Sequence, residues 1–175
     1  MGKLSTYDIA YKGLKEGLHE FEYKIDAKFF ELFKESLIKK ANIIATIFFE
    51  KRSSLLSLKF KLEGSIELMC DWCLENYDQH ISFETKVFVK FGMGRNEDSD
   101  EIFWVPPEDH DINIAQLLYE FSILSMPVTH IHPDNEDGES TCDPEMLKKI
   151  KKYSHSQEEK TDERWDVLKN FHNNY

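Results

Sequence analysis

The central third of the chain, residues 41–91, alternates apolar and polar side chains more regularly than any other part of the sequence. Apolar residues occupy every second position in residues 43–49 and 56–62, and in residues 81–91 with the exception of Thr85. Successive side chains of a β-strand point to opposite faces, so this pattern predicts three or four antiparallel strands, each with one buried face. We therefore expect an α+β fold built on an antiparallel β meander.

Two helices are predicted on either side of the meander. Asp26 is a suitable N-cap, and Phe29, Phe30 and Phe33 follow it at helical spacing, which favours a short helix with a buried aromatic stripe. Asn113 is a second N-cap. It precedes an apolar face formed by residues Ile114, Leu117, Leu118 and Phe121, in a helix that stops before Pro127. Both helices are expected to pack on the sheet.

The two ends of the chain are expected to differ in order. Residues 4–25 alternate on both sides of a glycine-bounded turn at residues 13–17, which predicts a β-hairpin. After Pro127 the chain becomes strongly acidic and polar, and amphipathic helical pieces recur only at residues 145–153 and 162–171. We therefore divide the chain into an α+β core domain, residues 1–127, and an acidic, partly flexible tail, residues 128–175.

The composition indicates a soluble acidic protein of the cytoplasm. The chain has 175 residues, a formal net charge of -11 and three cysteines. An odd cysteine count, and a start that turns polar at Leu4-Ser5-Thr6 instead of forming a signal peptide, favour a reducing compartment. The longest apolar stretch, residues 43–49, is far shorter than the roughly 20 residues needed to span a bilayer. We expect no membrane partner.

The charge is distributed unevenly along the chain. Residues 1–64 contain 12 Lys/Arg and 9 Asp/Glu, whereas residues 65–175 contain 10 and 24. Nucleic-acid affinity comes largely from basic side chains that displace counterions at phosphates. Because the second half is acidic, it predicts a basic protein partner instead. DNA is not expected as a ligand. The first half offers a modest basic patch for an RNA or phosphate contact, or simply a solvated strand face, at Lys51, Arg52, Lys59 and Lys61.

Cys70 and Cys73 lie three residues apart between two predicted strands, and three interpretations of this pair are open. Two thiolates at this spacing can reach one zinc ion, and Cys142 with His132 or His130 could complete four ligands; we take His132 as the candidate. The pair could instead be a redox dithiol, although a helix that would activate the first thiol is not predicted here. It could also be two reduced, packed thiols.

The sequence gives no positive indication of an enzyme. It contains neither a Gly-x-Ser-x-Gly nucleophile motif nor a His-Glu-x-x-His metal motif. His110, between Asp109 and Asp111, is typical of a surface triplet before a helix. We expect a protein that acts by binding and not by catalysis.

Six landmarks follow one another along the chain in a recognisable order. They are Gly13-Leu14-Lys15-Glu16-Gly17, Cys70-Asp71-Trp72-Cys73-Leu74, Asp111-Ile112, Leu124-Ser125-Met126-Pro127, Cys142, and Asp162-Glu163-Arg164-Trp165-Asp166-Val167-Leu168. Together they resemble the bacterial YceD-like proteins, the large ribosomal RNA subunit accumulation proteins. The family often has a basic residue before its second cysteine. This chain has Trp72 there, which argues against RNA binding by the turn itself.

The resemblance implies a cytoplasmic, non-enzymatic factor needed for normal levels of large-subunit ribosomal RNA. It implies a ribosomal or ribosome-assembly protein as partner and a metal site at the cysteines, of which only Cys70, Cys73 and Cys142 carry over. Two other functions are weighed against this one: a zinc-bearing protein-interaction module unrelated to ribosomes, and a dithiol redox protein.

Overall fold

A computed structural model describes residues 4–53, 55–92, 102–135 and 137–154. Its main element is a five-stranded sheet of order β2-β3-β4-β5-β6, beside a two-stranded ribbon of β1 and β7. The elements are β1 (Asp8–Ile9), β2 (Gly17–Asp26), α1 (Ala27–Phe30), β3 (Ala41–Lys51), β4 (Leu56–Met69), β5 (Asn76–Phe91), β6 (Ile102–Val105), β7 (Ile112–Asn113), α2 (Ala115–Leu124) and α3 (Pro144–Tyr153). Short 3-10 helices occupy Leu4–Tyr7 and Tyr11–Gly13.

The three alternating runs form β3, β4 and β5, which pair in antiparallel order and confirm the predicted meander. Ala45 lies opposite Leu62, and Leu62 lies opposite Phe83, so one apolar row crosses the three strands on what we call the inner face; Ile47 and Phe60 form the next pair on that face. Ile47 and Phe60 are fully buried. β6 adds to β5 in parallel, so the sheet is mixed but mostly antiparallel.

α2 packs on the inner face of the sheet, as predicted, and α1 buries Phe29 and Phe30 in the same hydrophobic core. The Phe121 ring of α2 lies 5.0 Å from the Phe60 ring, centroid to centroid. α1 is capped by Asp26, whose carboxylate accepts a hydrogen bond from the Lys28 N–H at 3.0 Å. Just beyond α1, the Phe33 ring stacks on Tyr119 of α2 at 4.2 Å, which joins the two helices. The α+β fold class is therefore confirmed.

The predicted N-terminal hairpin is wrong. β2 pairs with β3 along its whole length, whereas β1 pairs with β7 from the distant end of the core. The 3-10 turn at Tyr11–Gly13 interrupts the extended run, and Tyr11 is buried with its hydroxyl donating to the Asp109 carbonyl at 2.7 Å. Burial of Tyr11 against the core thus takes precedence over a local hairpin.

The first amphipathic piece of the tail is the helix α3, and the second, residues 162–171, lies outside the described residues. The division of the chain after residue 127 stays a prediction. In the described part of the chain, no helix combines the length and the apolar character that a membrane crossing needs.

Candidate metal centre

The turn after β4 directs two thiols into the protein. Cys70 donates its N–H to the Glu75 carbonyl at 2.9 Å, and its own carbonyl accepts from the Leu74 N–H at 3.0 Å. Leu74 closes the turn in a left-handed conformation, with φ of 62°. Cys70 and Cys73 are both buried, and the Trp72 N–H lies 3.4 Å from the Cys70 sulfur. Backbone hydrogen bonds within this turn therefore help to fix two sulfur donors.

The segment after α2 is tied to this turn by a reciprocal pair of hydrogen bonds. The Asp71 N–H donates to the His130 carbonyl at 2.7 Å, and the His130 N–H donates to the Asp71 carboxylate at 2.8 Å. His130 thus contributes its backbone to the site. Two residues later, the His132 ring packs against Tyr77 of β5 at 4.7 Å between centroids.

A compact loop then returns the chain from His132 to Cys142. The Asn135 side chain accepts hydrogen bonds from the Asp137 and Glu139 N–H groups, and the Thr141 hydroxyl donates to the Pro133 carbonyl at 2.8 Å. An isolated bridge between residues 134 and 140 closes the loop. Cys142 is consequently buried beside the first two cysteines, although it lies about 70 residues downstream of them.

The four side chains form a cluster with the dimensions of a tetrahedral metal site. Their candidate ligand atoms, Sγ of Cys70, Cys73 and Cys142 and a ring nitrogen of His132, all lie within 4.8 Å of one another. The Cys70 and Cys142 sulfurs are 3.6 Å apart, and His132 Nδ1 is 3.3 Å from Cys73 Sγ and 3.5 Å from Cys142 Sγ.

These distances fit zinc. Sulfur donors at about 2.3 Å and a nitrogen donor at about 2.0–2.1 Å from a tetrahedral zinc lie about 3.5–3.8 Å from one another. Three sulfurs and one imidazole are also a common donor set for structural zinc. The residues therefore fit this metal in both chemistry and spacing, and the cluster could hold a metal ion.

The electrostatics of the cluster favour one thiolate even without an ion. Burial of the Cys70 thiol is the largest single influence on its pKa and raises it. The opposite influence, which is larger in sum, comes from hydrogen bonds donated by the backbone N–H groups of Cys73, Trp72 and His132 and by the His132 side chain. The pKa of Cys70 falls to about 6. The pKa of Cys142 is raised, first by burial and further by the neighbouring Cys70. Three thiolates in so dry a site would require a cation between them.

The four residues of the predicted basic patch do not form one surface. Lys59 and Lys61 lie on the outer face of β4, where Lys59 pairs with Glu84 at 2.8 Å and Lys61 with Glu63 at 2.9 Å. Arg52 pairs with Glu50 at 2.6 Å. Lys51 instead donates to the Tyr11 and Leu14 carbonyls, at 3.0 and 2.8 Å. An RNA contact at these four residues stays a prediction.

The sequence reasoning missed a second basic region, on α3. Four exposed lysines follow the metal cluster closely, at Lys148, Lys149, Lys151 and Lys152. The signal was present as Lys-Lys-Ile-Lys-Lys, but a charge balance taken over residues 65–175 concealed it.

Comparison with known proteins gives one match. A family model described as "Large ribosomal RNA subunit accumulation protein YceD" matches residues 58–172, which is well over half of the chain. The matched region runs from β4 through α3 and includes all four residues of the metal cluster. No curated protein and no solved structure matches the chain.

Proposed function

Because the chain belongs to the YceD family of large ribosomal RNA subunit accumulation proteins, we propose that it is a non-enzymatic accessory factor in large-subunit biogenesis. It acts in the cytoplasm by binding a ribosomal or ribosome-assembly protein. The family match carries this proposal, since the family is described as an accumulation factor and not as an enzyme.

Zinc is the proposed ion of the cluster, and its role is structural. Cys70, Cys73, His132 and Cys142 supply four donors, which leaves no open position for a water or a substrate. A bound ion would neutralise the buried sulfurs and hold residues 130–142 against the turn after β4. The metal centre thus serves to present a surface.

The surface proposed to meet the partner is the apolar tip of the turn after β4. Met69, Trp72 and Leu74 are 57%, 45% and 60% exposed, although they are large apolar side chains close together in sequence. Asp71 and Glu75 lie between and beside them and are also exposed. An apolar tip with acidic neighbours suits a basic protein that has an apolar pocket.

A contact with ribosomal RNA through Lys51, Arg52, Lys59 and Lys61 is a further part of the proposal. Exposed ion pairs are worth about 0–1 kcal/mol, so phosphates could displace the carboxylates at three of these residues. Charge reversal at the four positions should weaken RNA association and leave binding of the protein partner intact. RNA affinity that is unchanged by the reversal would remove this contact from the proposal.

The experiment that tests the function is complementation. A strain that lacks the chain should contain less large-subunit ribosomal RNA relative to small-subunit RNA, and the wild-type chain should restore the ratio. Leu74→Ser should fail to restore it, because it removes part of the apolar tip. Leu37→Ser is the matched control, since Leu37 is 75% exposed and lies between α1 and β3. A normal ratio in the deletion strain would refute the proposed function.

The metal cluster also supports a second candidate, a zinc-bearing interaction module unrelated to ribosomes. Elemental analysis, with protein and RNA identification, of the chain captured from lysate under reducing conditions separates the two. Stoichiometric zinc with a basic ribosomal protein supports the first function, and zinc with only other proteins supports the second. The third alternative, a dithiol redox protein, predicts metal-free thiols and rapid alkylation of Cys70 near neutral pH.

A further inference from the structure

α3 begins directly after the last cysteine of the metal cluster. Asp143 caps it, accepting a hydrogen bond from the Glu145 N–H at 3.0 Å, and a proline occupies its first turn. Met146 and Leu147 are partly buried and pack against the hydrophobic core. The helix is therefore docked on the domain at its first turn, with one side against the protein.

The four lysines lie on the opposite side of the helix. At about 100° per residue, Lys148, Lys149, Lys151 and Lys152 span an arc of about 160°. The apolar residues Met146, Leu147, Ile150 and Tyr153 span an arc of about 120° centred opposite to it. All four lysines are exposed. Packing of Met146 and Leu147 thus directs a continuous ammonium surface toward solvent.

The lysines of α3 differ from the cations of the sheet in their partners. On the sheet, Arg52, Lys59 and Lys61 each pair with a carboxylate. None of the four α3 lysines forms an ion pair with a carboxylate of the described residues, 4–53, 55–92, 102–135 and 137–154. Like charges three and four residues apart on a helix repel one another. A polyanion placed along this side would relieve that repulsion.

We propose that the lysine side of α3 binds the phosphate backbone of RNA, and that this is the main RNA contact of the protein. The inference rests on the proposed function for the identity of the RNA, which is large-subunit ribosomal RNA. The exposed side of α3 carries ammonium groups and Glu145, and no amide or guanidinium side chain. Ammonium groups act on phosphates as point charges, so the contact is independent of base sequence.

The position of α3 gives the metal centre a second purpose. Cys142 lies two residues before the first residue of the helix, so whatever holds Cys142 in place also sets where the helix starts. The apolar tip and the lysine side thus each adjoin a cysteine of the cluster along the chain, and the tip is suited to a basic protein and the lysine side to RNA.

Fluorescence anisotropy on the full chain with a labelled 20-nucleotide single-stranded RNA, from 50 to 200 mM salt, tests the inference. Four phosphate contacts correspond to a slope of about -3 in log K against log salt, or about a 50-fold loss of affinity over this range. Conversion of all four α3 lysines to glutamine should make the slope less negative by about 3. It should also weaken binding at 50 mM salt at least tenfold. Glutamine is chosen because it has nearly the helix propensity of lysine.

The matched control removes the same number of charges from the sheet: Arg52→Gln, Lys59→Gln, Lys61→Gln and Lys86→Gln in one chain. Lys86 is an exposed residue of β5 that lies opposite Lys59. Both variants have the same net charge, so a general charge effect would weaken both equally. Equal weakening, a greater loss in the sheet variant, or unchanged binding by the helix variant would each overturn the inference. Circular dichroism and bound zinc establish that each variant is folded.

The outcome separates this inference from the proposed function. If the wild-type chain fails to bind the RNA probe but restores ribosomal RNA in the deletion strain, the α3 contact is refuted and the accessory function stands. If the wild-type chain binds the probe through α3 but the deletion strain has normal ribosomal RNA, the contact stands and the accessory function is refuted. Capture of an acidic protein by α3, with no RNA binding, would replace RNA as the ligand.

Discussion

The sheet and the metal cluster are held together by different forces. β3, β4 and β5 bury a continuous apolar face, so their order follows from the hydrophobic effect. Residues 130–142 are mostly polar. They are held by the hydrogen bonds between Asp71 and His130, by the hydrogen bond from Thr141 to the Pro133 carbonyl, and by His132 and Cys142 as members of the cluster. We therefore expect the first region to be stable by itself and the order of the second to depend on what occupies the cluster.

The largest expected effect is on the sheet. Phe60→Ala removes a fully buried ring that contacts Phe121, so the free energy of unfolding should fall by about 3–5 kcal/mol. Urea denaturation followed by circular dichroism measures this loss. Phe48→Ala is the control on the opposite face of β3, where the ring is only partly buried, and it should cost clearly less. Equal costs would contradict the assignment of the inner face as the core.

The metal cluster should respond locally and not globally. Cys142→Ser removes one of the four metal donors. Loss of a residue that only hydrogen-bonds to a metal ligand weakens metal binding about 10- to 100-fold, so zinc affinity should fall by more than this factor. Hydrogen exchange should show lost protection in residues 130–154 and unchanged protection in β4. Addition of a chelator to the wild-type chain should give the same pattern. Loss of protection throughout the sheet would show that the two regions are one cooperative unit.

The same difference decides what could be predicted from the sequence. The strands β3 to β5 were predictable because alternation of apolar and polar side chains indicates a strand with one buried face. This pattern can be recognised within the strand itself, without knowledge of distant residues. The partner of a short strand is a tertiary property, so the run at residues 7–11 predicted a hairpin, although β1 pairs with β7 some 100 residues away. Alternation also could not place Lys51, whose ammonium group is used by two backbone carbonyls.

At the metal cluster, residue types carried more information than spacing did. Thiol and imidazole side chains suggested a site, and the structure brings Cys70, Cys73, His132 and Cys142 together. The choice of His132 over His130 had no physical basis in the sequence, because it depends on the hydrogen bonds between His130 and Asp71. The α3 lysines were overlooked because the net charge was summed over more than a hundred residues. Charges in solution act only within about a Debye length, roughly 10 Å, so a local cluster of lysines is concealed in such a sum.

A smaller effect is expected where the two regions meet. Asp71→Ala leaves the His130 N–H without its carboxylate partner, which should cost about 1 kcal/mol of local stability. Amide exchange of residues 130–134 should become about fivefold faster, while β3 keeps its protection. Asp78→Ala removes the same charge from an exposed position on β5 and should change neither rate. An equal effect of both substitutions would mean that net charge, and not the hydrogen bond, controls the opening.

The smallest effect should have the opposite sign. Leu74 is exposed and has a φ of 62°, a conformation that costs a leucine about 1 kcal/mol and costs glycine little. Leu74→Gly should therefore stabilise the turn, but by no more than about 0.5 kcal/mol once the glycine's gain in unfolded-state entropy is subtracted, in thermal unfolding of the zinc-loaded chain. Complementation should nevertheless fail, as with Leu74→Ser, because the apolar tip is lost. A variant that is less stable and still restores ribosomal RNA would show that this leucine serves folding and not the partner.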